Sequence, residues 1–164
     1  MRRLVLISML AFALAVPAVG FALSGDNDGT LSVKSGVGKV SLNFNGSAVG
    51  RMQRGSIQLT DPIASDGLGP DFSGCEHKEF DKSTSTWLCR GTNLRFRAIG
   101  GKYQISIRGV GIYLSAVGEG SVILDGRGED PNINSDGAYS LNDGPYKSLP
   151  DFGQTFKLSA PVGG

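Results

Sequence analysis

Residues 93–108 read NLRFRAIGGKYQISIR, with apolar and polar side chains alternating on both sides of a Gly-Gly pair. Leu94, Phe96 and Ala98 lie before the pair, and Tyr103, Ile105 and Ile107 follow it. Successive side chains of a strand point to opposite faces, so this alternation describes two strands that each bury one face. Gly100-Gly101 suits a two-residue turn, because both positions accept positive φ. The spacing predicts a hairpin with Ala98 opposite Tyr103, Phe96 opposite Ile105 and Leu94 opposite Ile107. Its outer face would pair Arg97 with Gln104 and Arg95 with Ser106. A slip of one residue would turn the apolar row to solvent.

The same period recurs along the chain. Val40, Leu42 and Phe44 alternate with Lys39, Ser41 and Asn43, and Ile57 and Leu59 alternate with Ser56, Gln58 and Thr60. Strands are expected near 31–35, 38–45, 48–60, 84–90, 93–99, 102–108, 110–115, 120–125, 138–142 and 155–159. No segment after the first 22 residues carries a helical stripe. Gly accounts for 25 of 164 residues, roughly double the usual ~7% share, which implies many tight turns. Short alternating runs between turns predict an all-β fold, an antiparallel β-sandwich or a closed or partly closed β-barrel. Residues 23–164 are enough for one such domain.

Two stretches nearly repeat: SAVGRMQRGSIQLTD at 47–61 and SAVGEGSVILDG at 115–126. Each follows an apolar-alternating strand and closes on an Asp, Asp61 or Asp125, placed to start a turn. Gly50 and Gly118 are the expected bends, where a strand changes direction or crosses between sheets. Copies 68 residues apart predict approximate internal two-fold repetition. The repeated residues carry no nucleophile and no ligand set.

The first 22 residues have the parts of a secretory signal peptide: Arg2-Arg3, a long apolar run, and Gly20-Phe21-Ala22 as a small-residue exit. Cleavage is expected after Ala22, with Gly20 as the alternative. An uncleaved segment would be the chain's only tie to a membrane. The expected location is periplasmic, cell-envelope or extracellular. The full chain has 16 basic and 15 acidic side chains. Loss of Arg2 and Arg3 leaves 14 against 15, and so small a net charge argues against general nucleic-acid binding.

Cys75 and Cys89 are the two cysteines. In an oxidising compartment they are expected to form a disulfide. Zinc would need more ligands than the single histidine, His77, and its neighbours supply. His77 lies among Glu76, Lys78 and Glu79, which reads as a solvated loop, so no nucleophile–base pair is indicated and no catalytic residue is assigned. Asp130, Asn132, Asn134 and Asp136 place oxygen side chains at every second position before Gly137, as calcium loops begin. Counted from Asn132, the twelfth position of such a loop falls on Asp143 in place of the usual Glu, and no flanking helices are apparent, so no cofactor is expected beyond this calcium-like pattern.

Charge is uneven. From Lys82 to Gly118 there are six basic residues and no acid. Arg90, Arg95, Arg97 and Arg108 form a candidate binding stripe for an anionic envelope component or an acidic protein partner. The competing reading pairs them with acids on neighbouring strands.

The run RFRAIGGKYQISIRGVGIYLSAVGEGSVILDG, together with the signal segment and DGAYSLNDGPYKSLP, resembles a family of small exported bacterial proteins of unassigned function. The resemblance implies export and an all-β domain, and it supplies no catalytic residues. The expected role is therefore non-catalytic: binding, or association with the envelope. A calcium-stabilised extracellular binding module and a small carboxylate-based hydrolase are the alternatives.

Overall fold

A computed structural model describes residues 27–127 and 136–160. The expected signal segment, residues 1–22, and Asp130, Asn132 and Asn134 lie outside the described residues. Among the described residues the fold is all-β, one antiparallel sheet of seven strands that is not closed into a barrel and is consistent with a β-sandwich. The strands are β1 (Gly29–Thr60), β2 (Leu68–Asp81), β3 (Thr86–Ile99), β4 (Lys102–Gly126), β5 (Ala138–Leu141), β6 (Lys147–Ser148) and β7 (Gln154–Leu158).

The predicted runs are correct in type, and 138–142 and 155–159 match β5 and β7 in length, but those in the long strands are far too short. Runs 31–35, 38–45 and 48–60 are one strand of 32 residues, and the three runs from 102 to 125 are one strand of 25. Drawn straight, β1 would extend about 100 Å, against about 40 Å for a compact domain of this size. It must therefore bend, and it bends by coiling around β4. Residues 29–45 pair with 102–118, while 38–60 pair with 104–126. Ile105 thus has Leu42 on one side and Leu59 on the other, and Ala116 lies between Leu31 and Ala48.

One row across the sheet shows the consequence. Phe156, Val122, Leu42, Ile105, Leu59, Trp87 and Phe80 are successive cross-strand partners, running from β7 to β2. All seven belong to the inner face. The central ones are fully buried, and the core draws on both ends of each long strand.

The long strands approach most closely at cross-strand glycine pairs. Gly46 faces Gly118, and Gly55 faces Gly109. A Cβ on Gly46 would fall on the Val117 carbonyl oxygen, and one on Gly118 on that of Asn45. Gly55 and Gly109 stand in the same relation to the carbonyls of Arg108 and Arg54. The backbones touch there, closer than any side chain permits. Of the two expected bends, Gly118 stands at such a close approach and Gly50 does not. It lies opposite Phe96, whose ring fills the space a Cβ would take. The near-repeats prove to be partners: Ser47, Ala48 and Val49 pair antiparallel with Val117, Ala116 and Ser115.

The expected hairpin does not form. Leu94, Phe96, Ala98, Tyr103, Ile105 and Ile107 are all buried, as the alternation requires. However, β1 lies between β3 and β4. Ala98 is opposite Ala48, Phe96 opposite Gly50 and Leu94 opposite Met52. The Gly100-Gly101 connection straddles β1: Gly46 N donates to the Gly101 carbonyl at 2.9 Å, and Gly100 N donates to Ser47 Oγ at 2.9 Å. β1 has an unsatisfied edge on each side, and serving both fixes more backbone groups than one local hairpin would.

Strand β2 was not foreseen. His77 lies in this strand, not in a loop. β2 is an edge strand that pairs with β3 alone, and most of its side chains are exposed, so it has no alternating pattern to read.

A candidate anion-binding face

Arg95 and Arg97 project from the outer face of β3, with Leu94, Phe96 and Ala98 fixed in the core behind them. Their neighbours are not Ser106 and Gln104. Arg95 lies between Arg51 of β1 and Ser73 of β2, and Arg97 between Val49 and Asp71. Arg51 is in turn opposite Tyr113 of β4, and its guanidinium carbon stands 4.3 Å from the centre of that ring. The Tyr113 hydroxyl is held by Ser35 Oγ at 2.7 Å. The ring is therefore braced, and the guanidinium lies across its negative face.

These side chains border a trough of about 540 Å³, lined among others by Val49, Gly50, Arg51, Arg95, Arg97 and Tyr113. Val49 is 44% exposed on the wall. Rows two residues apart along a strand are about 7 Å apart, and adjacent strands about 5 Å. The trough is thus bordered by three arginines on neighbouring backbone positions, beside an aromatic and an aliphatic surface.

Like charges directly opposite each other destabilise a sheet. Among the described residues no carboxylate offsets this cost for Arg51 and Arg95, and the Tyr113 ring is the favourable contact of the Arg51 guanidinium. Among the described residues the recorded ion pair is His77–Glu79, at 2.7 Å, and none joins Arg51, Arg95 or Arg97 to a carboxylate. Asp71 stands in register with Arg97 without pairing with it. Cross-strand acids therefore do not account for this cluster.

The remaining predicted stripe residues are elsewhere. Arg90 and Arg108 flank Ser56, with Lys39 beyond Arg108. They are separated from the Arg95 row by an irregularity at Gly91–Asn93, where Asn93 has φ of 53° and the inward positions shift from Cys89 to Leu94. The stripe is thus two clusters, and the one lining the trough contains Arg51. Sequence reasoning missed Arg51 because 44 residues separate it from Arg95. The signal available was the exposed parity of Arg51 within the repeated segment.

The other candidates are quickly placed. Cys75 and Cys89 form the expected disulfide, with a Cα–Cα distance of 5.3 Å, which fits an oxidising compartment. His77 Nε2 meets Glu79 Oε1, and both side chains are more than half exposed. Among the described residues no three His, Cys, Asp or Glu side chains gather as a metal site. Of the calcium-like quartet only Asp136 is described, and it is half-buried.

Comparison with protein-family models, with characterised proteins and with solved structures finds no match to this chain. Its function is therefore argued from this face.

Proposed function

We propose that the chain is an exported, non-catalytic binding domain that holds an acidic polymer of the cell envelope in the Arg51–Arg95–Arg97 trough. The observation that carries this reading is the cluster of three arginines that, among the described residues, have no carboxylate partner. Arginine presents a planar fork of donors that matches carboxylate and phosphate groups. Three such side chains on neighbouring backbone positions can each take one of the anionic groups carried on successive units of a polymer. Tyr113 and Val49 offer surface to its uncharged portions. A leading signal segment and a disulfide are both consistent with work outside the cytoplasm.

The variant R51S/R95S tests this. Its melting temperature should stay at or above that of wild type, since removing a like-charge pair on a solvent face costs little. Its affinity for immobilised polygalacturonate or poly(glycerol phosphate) at low salt should fall at least about tenfold, the worth of one charge-assisted contact. The exposed pair K147S/K157S, on β6 and β7, removes the same charge elsewhere and should bind as wild type does. Equal binding by R51S/R95S and wild type at every salt concentration would overturn the proposal.

A further inference from the structure

Ile57, Leu59 and Asp61 share the inward parity of β1. The first two are fully buried, and Asp61 is only 6% exposed. The sequence suggested a turn-starting Asp at this position. Its backbone does leave the strand here, with Asp61 N donating to the Ser85 carbonyl at 3.0 Å. Its side chain, however, turns to the end of the core. Thr60 is paired with Gln104, so the inward neighbour of Asp61 on β4 is Tyr103. Asp61 Oδ1 is buried and has no hydrogen-bond partner.

The polar atoms around Tyr103 are oxygens. Its hydroxyl donates to the Leu68 carbonyl at 2.9 Å, and it lies 3.2 Å from the Gly100 carbonyl oxygen and 3.4 Å from that of Ile99. A hydroxyl has one proton, so at most one of these three is satisfied by it. Asp66, on the same β1–β2 loop as Asp61, comes close to the Tyr103 hydroxyl: its Oδ1 and that hydroxyl stand 2.6 and 3.3 Å from where a Cβ on Gly101 would be. Its Oδ2 accepts from Lys102 N at 3.1 Å, and its Oδ1 stands where a side chain on Gly101 would strike it. No ion pair among the described residues neutralises either carboxylate.

A buried carboxylate with one oxygen left without a donor is costly and calls for a proton or a cation. Burial pushes the Asp61 carboxyl above the usual range, and the charge of Asp66 pushes the same way against a hydrogen bond from the Ile63 backbone. Burial also raises the Tyr103 hydroxyl, with Asp61 and Asp66 adding to it. The three groups thus lie within one another's field.

We propose that Asp61 and Asp66 together bind a calcium ion, with the Gly100 carbonyl oxygen and water completing its shell. Calcium is a hard cation that takes carboxylate and carbonyl oxygens in irregular sets, whereas magnesium demands a near-octahedral shell. Two carboxylates are a low charge count, which places affinity in the range of extracellular modules, about 10⁻⁴–10⁻³ M. The ion would tie the β1–β2 loop to the Gly100-Gly101 connection that straddles β1.

Melting with and without calcium tests the site. At pH 7, a calcium concentration ten times the dissociation constant should raise the melting temperature of wild type by about 3 °C or more over EDTA. In EDTA the raised Asp61 carboxyl stabilises the fold fully below its unfolded value, and this is lost as pH rises through the folded value. D61N should therefore melt above wild type in EDTA at pH 7 and ignore calcium. D66N should lose the calcium response too. Terbium, a calcium mimic, should show emission sensitised by Tyr103 in wild type and not in D61N. Should D61N fail to fold, D66N and the terbium signal decide the matter. No calcium shift in wild type, with D61N still stabilised, would make Asp61 a buried neutral acid and overturn the proposal. A calcium shift that persists in D61N and D66N would place the ion elsewhere, and would overturn it equally.

Discussion

Replacing Gly46 with valine is expected to destabilise the fold by about 3 kcal/mol or more, at the upper end of what overpacking costs. The added Cβ falls on the Val117 carbonyl oxygen and against Gly118, so the obstacle is backbone. A flexible side chain could rotate away, but a paired carbonyl cannot move without breaking its ladder. The two strands would have to separate where β1 and β4 change from one register to the other. Valine otherwise favours strands, so β-propensity alone predicts the opposite sign. Gly69 is the control, because a Cβ there meets nothing within 4 Å. Urea unfolding of G46V, G69V and wild type checks the claim. Equal midpoints for G46V and G69V would show that the fold does not need the close approach at the glycine pair.

Reducing the Cys75–Cys89 bond is expected to cost about 3 kcal/mol, the chain-entropy value for a loop of this length. The pairing joins residues 14 apart on β2 and β3. β2 is an edge strand, held by β3 along one side and by few buried side chains of its own, with Phe72 packed against the core and Phe80 stacked on Trp87 at 4.1 Å. Loss of the bond should therefore act first on β2. With about 3 kcal/mol gone, the melting temperature should fall by about 10 °C. Hydrogen exchange should speed up in Leu68–Asp81 before it does in β1 or β4. Intact mass before and after reduction confirms the state of the thiols. An unchanged melting temperature with both thiols free would mean that the strand pairing and aromatic contacts suffice alone.

How far the sequence could be read depends on whether a feature is local. Period-two alternation is a property of a single strand. It correctly placed Leu94, Phe96, Ala98, Tyr103, Ile105 and Ile107 in the core and Arg95 and Arg97 on the surface. The all-β class and the disulfide were legible for the same reason, as composition and two cysteines require no knowledge of partners. β2 was illegible because an exposed edge strand buries neither face consistently. Asp61 looked like a turn residue because the end of a strand and the end of a core coincide there.

Partnership was decided only by the tertiary structure. Gly100-Gly101 has the chemistry of a hairpin turn, yet it straddles β1. The two SAVG segments were visible as a repeat, but their pairing with each other was not. Arg51 joins Arg95 and Tyr113 only because β1 runs between β3 and β4. Each strand's sequence specifies which of its faces is apolar. It does not specify which edge its backbone donors and acceptors will meet, since those groups are the same at every residue. That choice is made by the whole chain, as the long strands coil around each other until both edges are served and one core is filled.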